Sequence, residues 1–340
     1  MMNNLLITGG AGFIGSNFVF HMAEKYPNLK IIVLDLLTYA GNLENLASFI
    51  KSNRIKFVWG DITDRDFVFN LFKKEEFDCV VNFAAESHVD RSIRDASAFL
   101  NTNILGTQVL IDACIAFGNI RFHQISTDEV YGELPLERKD LKFSEKNNLV
   151  TSSPYSASKA SADLLCLSYF RTYNLPVTIS RASNNYGPFQ FPEKLIPLVI
   201  TRALADKDIP VYGDGANIRD WIHVSDHCKA VDTILFYGKT GEIYNIGANS
   251  ERDNLFVVRT ILSIMGKHEN LIKFVKDRAG HDRRYAIDSS KAKTQLNWKA
   301  EIAFDKGIKD TINWYLENKS WWERIISGEY SDYYKIMYGE

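Results

Sequence analysis

Three groups of residues in this sequence have types and spacings that could do chemistry. The first is Thr127-Asp128-Glu129, an acid pair that directly follows the apolar run Phe122 to Ile125. That run reads as a buried strand. Carboxylates are seldom buried without partners, so two of them at such a place are candidates for proton transfer. The second group is Tyr155-x-x-x-Lys159, preceded by Ser153-Pro154. Ser then Pro suits a helix N-cap and first helical position, which puts Tyr155 and Lys159 at i and i+4 on one face. A free phenol titrates near ~10 and is a poor base at neutral pH, but an ammonium within ~4–6 Å favours the phenolate. The third group is Gly10-x-Gly12-x-x-Gly15, preceded by Thr8-Gly9. This is a dinucleotide fingerprint, in which glycines turn the chain and admit a pyrophosphate to a helix N-terminus.

The elements that must position these groups alternate along the chain. Leu5-Ile7 is a short strand before the glycine turn, and a helical pattern follows it to about Tyr26. A second strand, Ile31 to Leu34, ends at Asp35, twenty residues past Gly15, where the fold needs a carboxylate for the adenosine ribose. No Arg or Lys occurs within Leu36–Asn45, so a 2′-phosphate would meet no counter-charge and NAD is favoured over NADP. Strands at Ile55–Trp59, Cys79–Phe83, Arg121–Ser126 and Val177–Ser180 continue the rhythm, with a long helix over Ala96–Phe117. The predicted fold class is therefore α/β: a Rossmann-type, doubly wound parallel sheet with a smaller, mixed α/β substrate-binding domain. Residues 1–183 form the NAD-binding domain, with a probable return segment near 219–248, and 184–340 mainly the second domain. Candidate cofactor contacts fall at strand ends, Gly9, Gly12, Phe13, Ile14, Gly15, Asp35, Leu36, Leu37, Thr38, Asp61, Ile62, Phe83, Ala84, Ala85, Glu86 and Ser87, with Thr102 near the start of the long helix and Tyr155 and Lys159 beside them.

Composition narrows the class further. A net charge of −2 over 340 residues gives no reason to expect nucleic acid or an anionic membrane as partner. No apolar run is expected to approach the ~20 residues of a membrane span. Four dispersed cysteines, Cys79, Cys114, Cys166 and Cys228, read as reduced thiols of a cytoplasmic protein. His223 and His227 stand at i and i+4, but Val224 occupies the place where the zinc-protease pattern needs Glu, so no metal is expected. Asp277 to Tyr285 carries Arg278, His281, Arg283 and Arg284, donors suited to a nucleoside diphosphate. The aromatic tail, Trp298, Trp314, Tyr315, Trp321, Trp322, Tyr330, Tyr333 and Tyr334, is expected to pack a terminal helix onto the second lobe.

With Gly9-x-x-Gly12-x-x-Gly15 and Tyr155-x-x-x-Lys159, the chain resembles the extended short-chain dehydrogenase/reductase family from Leu5 to about Tyr315. Longer pieces are similar to its nucleotide-sugar 4,6-dehydratase branch: Thr38 to Leu43, Ala84 to Ser92, Ser126 to Gly132, Ser183 to Pro188 and Pro192 to Leu198. The resemblance implies a lyase that oxidises a dTDP-hexose at C4 on bound NAD, removes water across C5 and C6, and reduces C6. It assigns Tyr155 as base with Lys159 beside it, Thr127 to the C4 hydroxyl, Glu129 to the C5 proton and Asp128 to the departing C6 hydroxyl. Two carboxyls with opposite duties need separated pKa values, and burial beside Glu129 should push Asp128 upward.

The resemblance also places Ser87 and Thr127 at the hexose, Asn185 at the nicotinamide, and Pro210, Val211 and Tyr212 beside the base. Asn184, Lys194, Leu195, Arg219, Asn245, Asp277, Arg278, Ala279, Gly280 and His281 would line the nucleotide-sugar side. Ala279 stands where relatives usually carry Pro, which should loosen that loop. A homodimer through Ala96–Phe117 and Ser156–Tyr173 is implied as well. Other readings share the platform: a UDP- or CDP-hexose 4,6-dehydratase, a UDP-hexose 4-epimerase, a UDP-glucuronate decarboxylase, or an NAD sensor without chemistry. Epimerases have no use for an acid pair after the fifth strand, decarboxylases resemble Thr-Ser-Glu there, and a sensor could dispense with Asp128, Glu129, Tyr155 and Lys159.

Overall fold

The computed structural model describes residues 2–328. Seven parallel strands form the main sheet: β1 (Asn4–Thr8), β2 (Lys30–Asp35), β3 (Lys56–Trp59), β4 (Cys79–Asn82), β5 (Arg121–Thr127), β6 (Val177–Ala182) and, far along the chain, β10 (Ile243–Ile246). Their order is β10-β6-β5-β4-β1-β2-β3. Successive side chains of a strand face opposite ways. Leu5 and Ile7 of β1 accordingly enter one core with the helices Phe13–Lys25 and Val224–Tyr237, while Leu6 enters a second core beneath Arg65–Glu75, Thr107–Ala116 and Pro154–Tyr173. All five residues of β1 are buried, as a sheet covered on both faces requires.

The second lobe carries β7 (Asn184–Tyr186), β8 (Ile209–Tyr212), β9 (Ile218–His223), β11 (Glu251–Asp253) and β12 (Ile272–Val275), arranged as a three-stranded sheet β11-β9-β7 and a pair β12-β8. Of the two segments expected to return to the first domain, only Ile243–Ile246 does so, pairing with β6. Ile218–His223 stays in the small sheet, held by Asn184–Tyr186.

Among the described residues one helical stretch, Ser97–Ala116, is long and apolar enough by length and composition to cross a membrane, a test that a core helix also passes. Here it covers the sheet and packs on Pro154–Tyr173. It is not uniform: Leu100–Gly106 is a π-turn, which brings buried Asn103 to the loop after β4. Asn103 exchanges hydrogen bonds with both backbone groups of Glu86 and donates to Ser158 Oγ at 2.8 Å, bracing that loop against the Tyr155 helix.

Trp314, Tyr315, Trp321 and Trp322 pack into the second lobe's core, whereas Trp298 joins the cluster under β10. Trp321 also reaches the first lobe: its indole N–H donates to Asn45 Oδ1 at 2.8 Å, and Asn45 Nδ2 donates to the Ala11 carbonyl at 2.9 Å. Tyr330, Tyr333 and Tyr334 lie outside the described residues.

Candidate active site

The glycine turn closes β1 against β4. Gly9 has φ +65, and a Cβ on it would lie 2.5 Å from the Ala84 nitrogen; one on Gly15 would lie 2.2 Å from the Gly9 carbonyl oxygen. Only glycine fits either place, and the resulting cradle leaves the N-terminus of Phe13–Lys25 open to an anion. Asp35 ends β2 with its carboxylate accepting from the N–H groups of Ala11 (2.9 Å) and Leu37 (2.8 Å). Burial raises its pKa, and those two donors oppose the rise. The cradle, the acidic strand end and the absence of Arg and Lys from Leu36–Asn45 fit an NAD-type dinucleotide.

A cavity of about 320 Å³ runs along the strand ends and gathers most of the expected residues. Gly9, Gly12–Gly15, Asp35, Leu36, Thr38, Asp61, Ile62, Phe83–Ser87, Thr102, Thr127–Glu129, Tyr155, Lys159, Asn184, Asn185 and Lys194 all line it. Leu37 does not. At φ 56 it is partly buried and packs against the core that includes β1 and β2.

The strand carrying the acid pair runs one residue further than expected. Thr127 is its last residue, at φ −135 and ψ 153, and Asp128–Tyr131 is a 3-10 turn capped by Thr127 Oγ1, which accepts from the Glu129 N–H at 3.2 Å. A strand would have sent neighbouring carboxyls to opposite faces. The turn brings both to the cavity.

Asp128 is 2% exposed, and its Oδ2 has no hydrogen-bond partner among the described residues. Burial, then the charge of Glu129, holds Asp128 well above the usual carboxylate range. Burial also raises Glu129, but Arg278, Arg219 and Lys194 all pull it down. Both carboxyls are thus raised by burial, Asp128 the further, while the three cations restrain the rise of Glu129.

Ser153 caps the helix Pro154–Tyr173 through a reciprocal box with Ser156, which fixes the pitch of the Tyr155/Lys159 face. Burial and then Glu129 push the Tyr155 phenol upward, so the protein alone does not make a phenolate. Lys159, lowered to about 8 chiefly by burial, donates from Nζ to the Ile125 carbonyl at 2.5 Å.

On the sugar side the outcome is mixed. Leu195, Pro210, Val211, Tyr212, Arg219, Asn245 and Asp277–His281 do not line the cavity. Val211 is 2% exposed within the second lobe's core, and Leu195 packs against that core. Asn245 is engaged elsewhere: Oδ1 accepts from Tyr131 OH at 2.8 Å and Nδ2 donates to the Phe143 carbonyl at 3.0 Å. Arg219 and Arg278 do act on the acid pair through their charge, and Arg278 also bonds Asp90 at 3.2 Å. Tyr212 donates to Asp90 as well, at 3.3 Å, and His281 pairs with Asp277 at 2.6 Å.

The cavity and its surroundings also hold residues that had not been expected. Gln190 and Glu193 line the wall. Burial raises Glu193 to about 7 against the pull of Lys194 and Arg91. Tyr285 lies under the Arg219 guanidinium at 4.3 Å, donates to Asp282, and feels the charge of Glu129. An acid between Pro192 and Lys194 was a readable signal for the second of these; nothing in the sequence pointed to Tyr285.

His223 and His227 face different partners. His223 accepts from the Ser225 N–H at 3.3 Å, and His227 Nδ1 meets Asn185 Oδ1 at 2.9 Å.

A Rossmann sheet with a glycine cradle and a Tyr-x-x-x-Lys helix over its strand ends defines the short-chain dehydrogenase/reductase type of enzyme, here with a buried acid pair in the same cleft. The chain belongs to the GDP-mannose 4,6 dehydratase family, whose model matches residues 6–311. It is 47% identical over 347 residues to a dTDP-glucose 4,6-dehydratase of Xanthomonas campestris pv. campestris, covering 97% of each chain. The dTDP-glucose 4,6-dehydratase DesIV of Streptomyces venezuelae, solved with NAD bound, superposes at a TM-score of 0.91 with 45% identity, over 95% of this chain and 99% of that one. A UDP-glucose 4-epimerase of Thermotoga maritima, solved with UDP-glucose, gives a TM-score of 0.86 at 29% identity, over 93% and 99%.

Proposed function

We propose that this enzyme converts dTDP-glucose to dTDP-4-dehydro-6-deoxyglucose and water. The observation that carries the reading is the split acid pair: Asp128 and Glu129 share one cavity with Tyr155 and have environments that push their proton affinities apart.

The Gly9–Gly15 cradle and Asp35 would hold NAD, which would supply a reversible hydride acceptor for C4 and donor for C6. Every proton is the protein's business. Thr127 orients the C4 hydroxyl, and Tyr155 takes its proton. Lys159 and the positive charge that arrives with the oxidised cofactor oppose the burial that otherwise holds the phenol protonated. The 4-ketone acidifies the C5 hydrogen, which Glu129 removes. Asp128, kept neutral by burial and by Glu129, protonates the departing C6 hydroxyl, and water leaves. Glu129 then returns its proton to C5. The sum is redox-neutral, so no external reductant is consumed, and the proton gained by Tyr155 equals the one lost by Asp128, so its transfer through solvent resets the site.

Arg219, Arg278 and Lys194 supply positive charge near the acid pair and are assigned to the nucleoside diphosphate and sugar. A homodimer in the cytoplasm is part of the same reading: Leu100, Leu105 and Leu164 are exposed on the two helices expected to meet a second copy.

The test is incubation of the purified enzyme with dTDP-, UDP- and CDP-glucose without added reductant. A 4-keto-6-deoxy product from dTDP-glucose supports the proposal; a C4 epimer, or no product, overturns it.

A further inference from the structure

One face of the helix Pro154–Tyr173 carries a third charged residue at the next turn, Asp163, after Tyr155 and Lys159. It is wholly buried. Its Oδ2 accepts from Ser126 Oγ at 3.0 Å and from Arg181 Nε at 2.8 Å, while Oδ1 has no hydrogen-bond partner among the described residues. Arg181, also buried, places Nη1 2.9 Å from Tyr131 OH, which in turn donates to Asn245. The dipeptide Ile125-Ser126 at the end of β5 touches both helix residues: Ile125 offers its carbonyl to Lys159, and Ser126 its hydroxyl to Asp163. Lys159, Asp163 and Arg181 are thus three buried charges of alternating sign, and none of them faces solvent.

We propose that Asp163 is a positioning residue for the reaction, holding Lys159 as an ammonium beside Tyr155, with Arg181 sharing its charge. This rests on the roles given above to Tyr155 and Lys159. A carboxylate serving only as a structural partner of Arg181 could sit anywhere along β6. This one sits one helical turn from Lys159, in a medium where an unpaired ammonium would give up its proton. Its negative charge is the first influence that opposes the effect of burial on Lys159. The other ionisable groups around the spot are Cys166 on the same helix and, beyond Tyr155, Asp128 and Glu129.

The experiment follows the 13Cε resonance of Lys159 across pH in the enzyme as isolated, assigned by its loss in Lys159→Met. Two variants are compared: Asp163→Asn, which keeps an oxygen for Arg181 and Ser126, and Asp163→Asn with Arg181→Gln, which also removes the buried guanidinium that the single change leaves without its carboxylate, in case the single change does not fold. In both the titration midpoint should fall by about one unit or more, the usual influence of a neighbouring opposite charge. The alkaline limb of kcat should move to lower pH by the same amount, because the ammonium is lost earlier. A midpoint that stays at its wild-type position in either folded variant overturns the proposal. The resonance is read without turnover, so a failure here is separable from a failure to act on dTDP-glucose.

Discussion

Replacing Asp128 by Asn separates the first half of the reaction from the second. The side chain is 2% exposed, with a lone Oδ2, and burial and Glu129 hold it in the neutral form. Asn is nearly isosteric with that neutral acid, so the cavity, the cofactor and the C4 hydroxyl should meet no new charge or void. What the variant lacks is a transferable proton for the C6 hydroxyl. General acid catalysis contributes about 10²- to 10⁴-fold, which corresponds to about 3–5 kcal/mol of barrier. C4 oxidation should therefore proceed while water loss slows by that factor, and the 4-keto hexose should accumulate on the enzyme. Rapid acid quench with mass spectrometry of the sugar reads this directly, alongside the absorbance of reduced nicotinamide persisting in the mixture. Turnover within threefold of wild type would refute the assignment. A second readout comes from stability. Asp128 is raised in the folded state, so its neutral form stabilises the fold at low pH, and that contribution is lost as pH rises through the folded value. The amide has no such loss. Melting temperatures of variant and wild type should converge near pH 4 and separate at pH 8, with the variant the more stable.

Glu129→Gln should abolish exchange of the C5 hydrogen with deuterated solvent; continued exchange would remove Glu129 as the base. Gly15→Ala places a methyl 2.2 Å from the Gly9 carbonyl oxygen, so NAD affinity by calorimetry should fall roughly 100-fold, about 2.7 kcal/mol, and an unchanged constant would show that the turn can relax. Trp321→Phe keeps an aromatic ring but strands the buried oxygen of Asn45, at a cost of about 1–3 kcal/mol in denaturant unfolding. A change below 0.5 kcal/mol would mean that water takes the place of the indole.

The local signals in the sequence were strong where backbone geometry leaves little choice. A glycine turn between a strand and a helix, an acid at the end of the second strand, and Ser-Pro before Tyr-x-x-x-Lys each constrain the backbone within a few residues, and each sits where expected. Pairing between distant segments was less legible. Ile243–Ile246 and Ile218–His223 each carry three apolar residues, yet one closes the main sheet and the other pairs with Asn184–Tyr186. Only partners remote in sequence decide between them. The strand before the acid pair ended at Thr127 rather than Ser126 because the Thr127 hydroxyl caps the turn, a side-chain detail that apolar periodicity does not carry. Asn245 and Val211 were expected at the ligand; in the structure Asn245 bonds Tyr131 and Phe143, and Val211 lies in a core. Tyr285 was missed because its position depends on stacking beneath Arg219, which no spacing rule encodes.

The bridge from Trp321 through Asn45 to Ala11 orders events during synthesis. Asn45 and Trp321 are 276 residues apart, and β10, which completes the main sheet, is itself made late. While the chain is still emerging from the ribosome, the glycine turn has its strand and helix but not the clasp that fixes the carbonyl of Ala11 from behind. A fragment ending at Ser183 would carry the whole dinucleotide fingerprint without the clasp behind Ala11 that Trp321 supplies through Asn45.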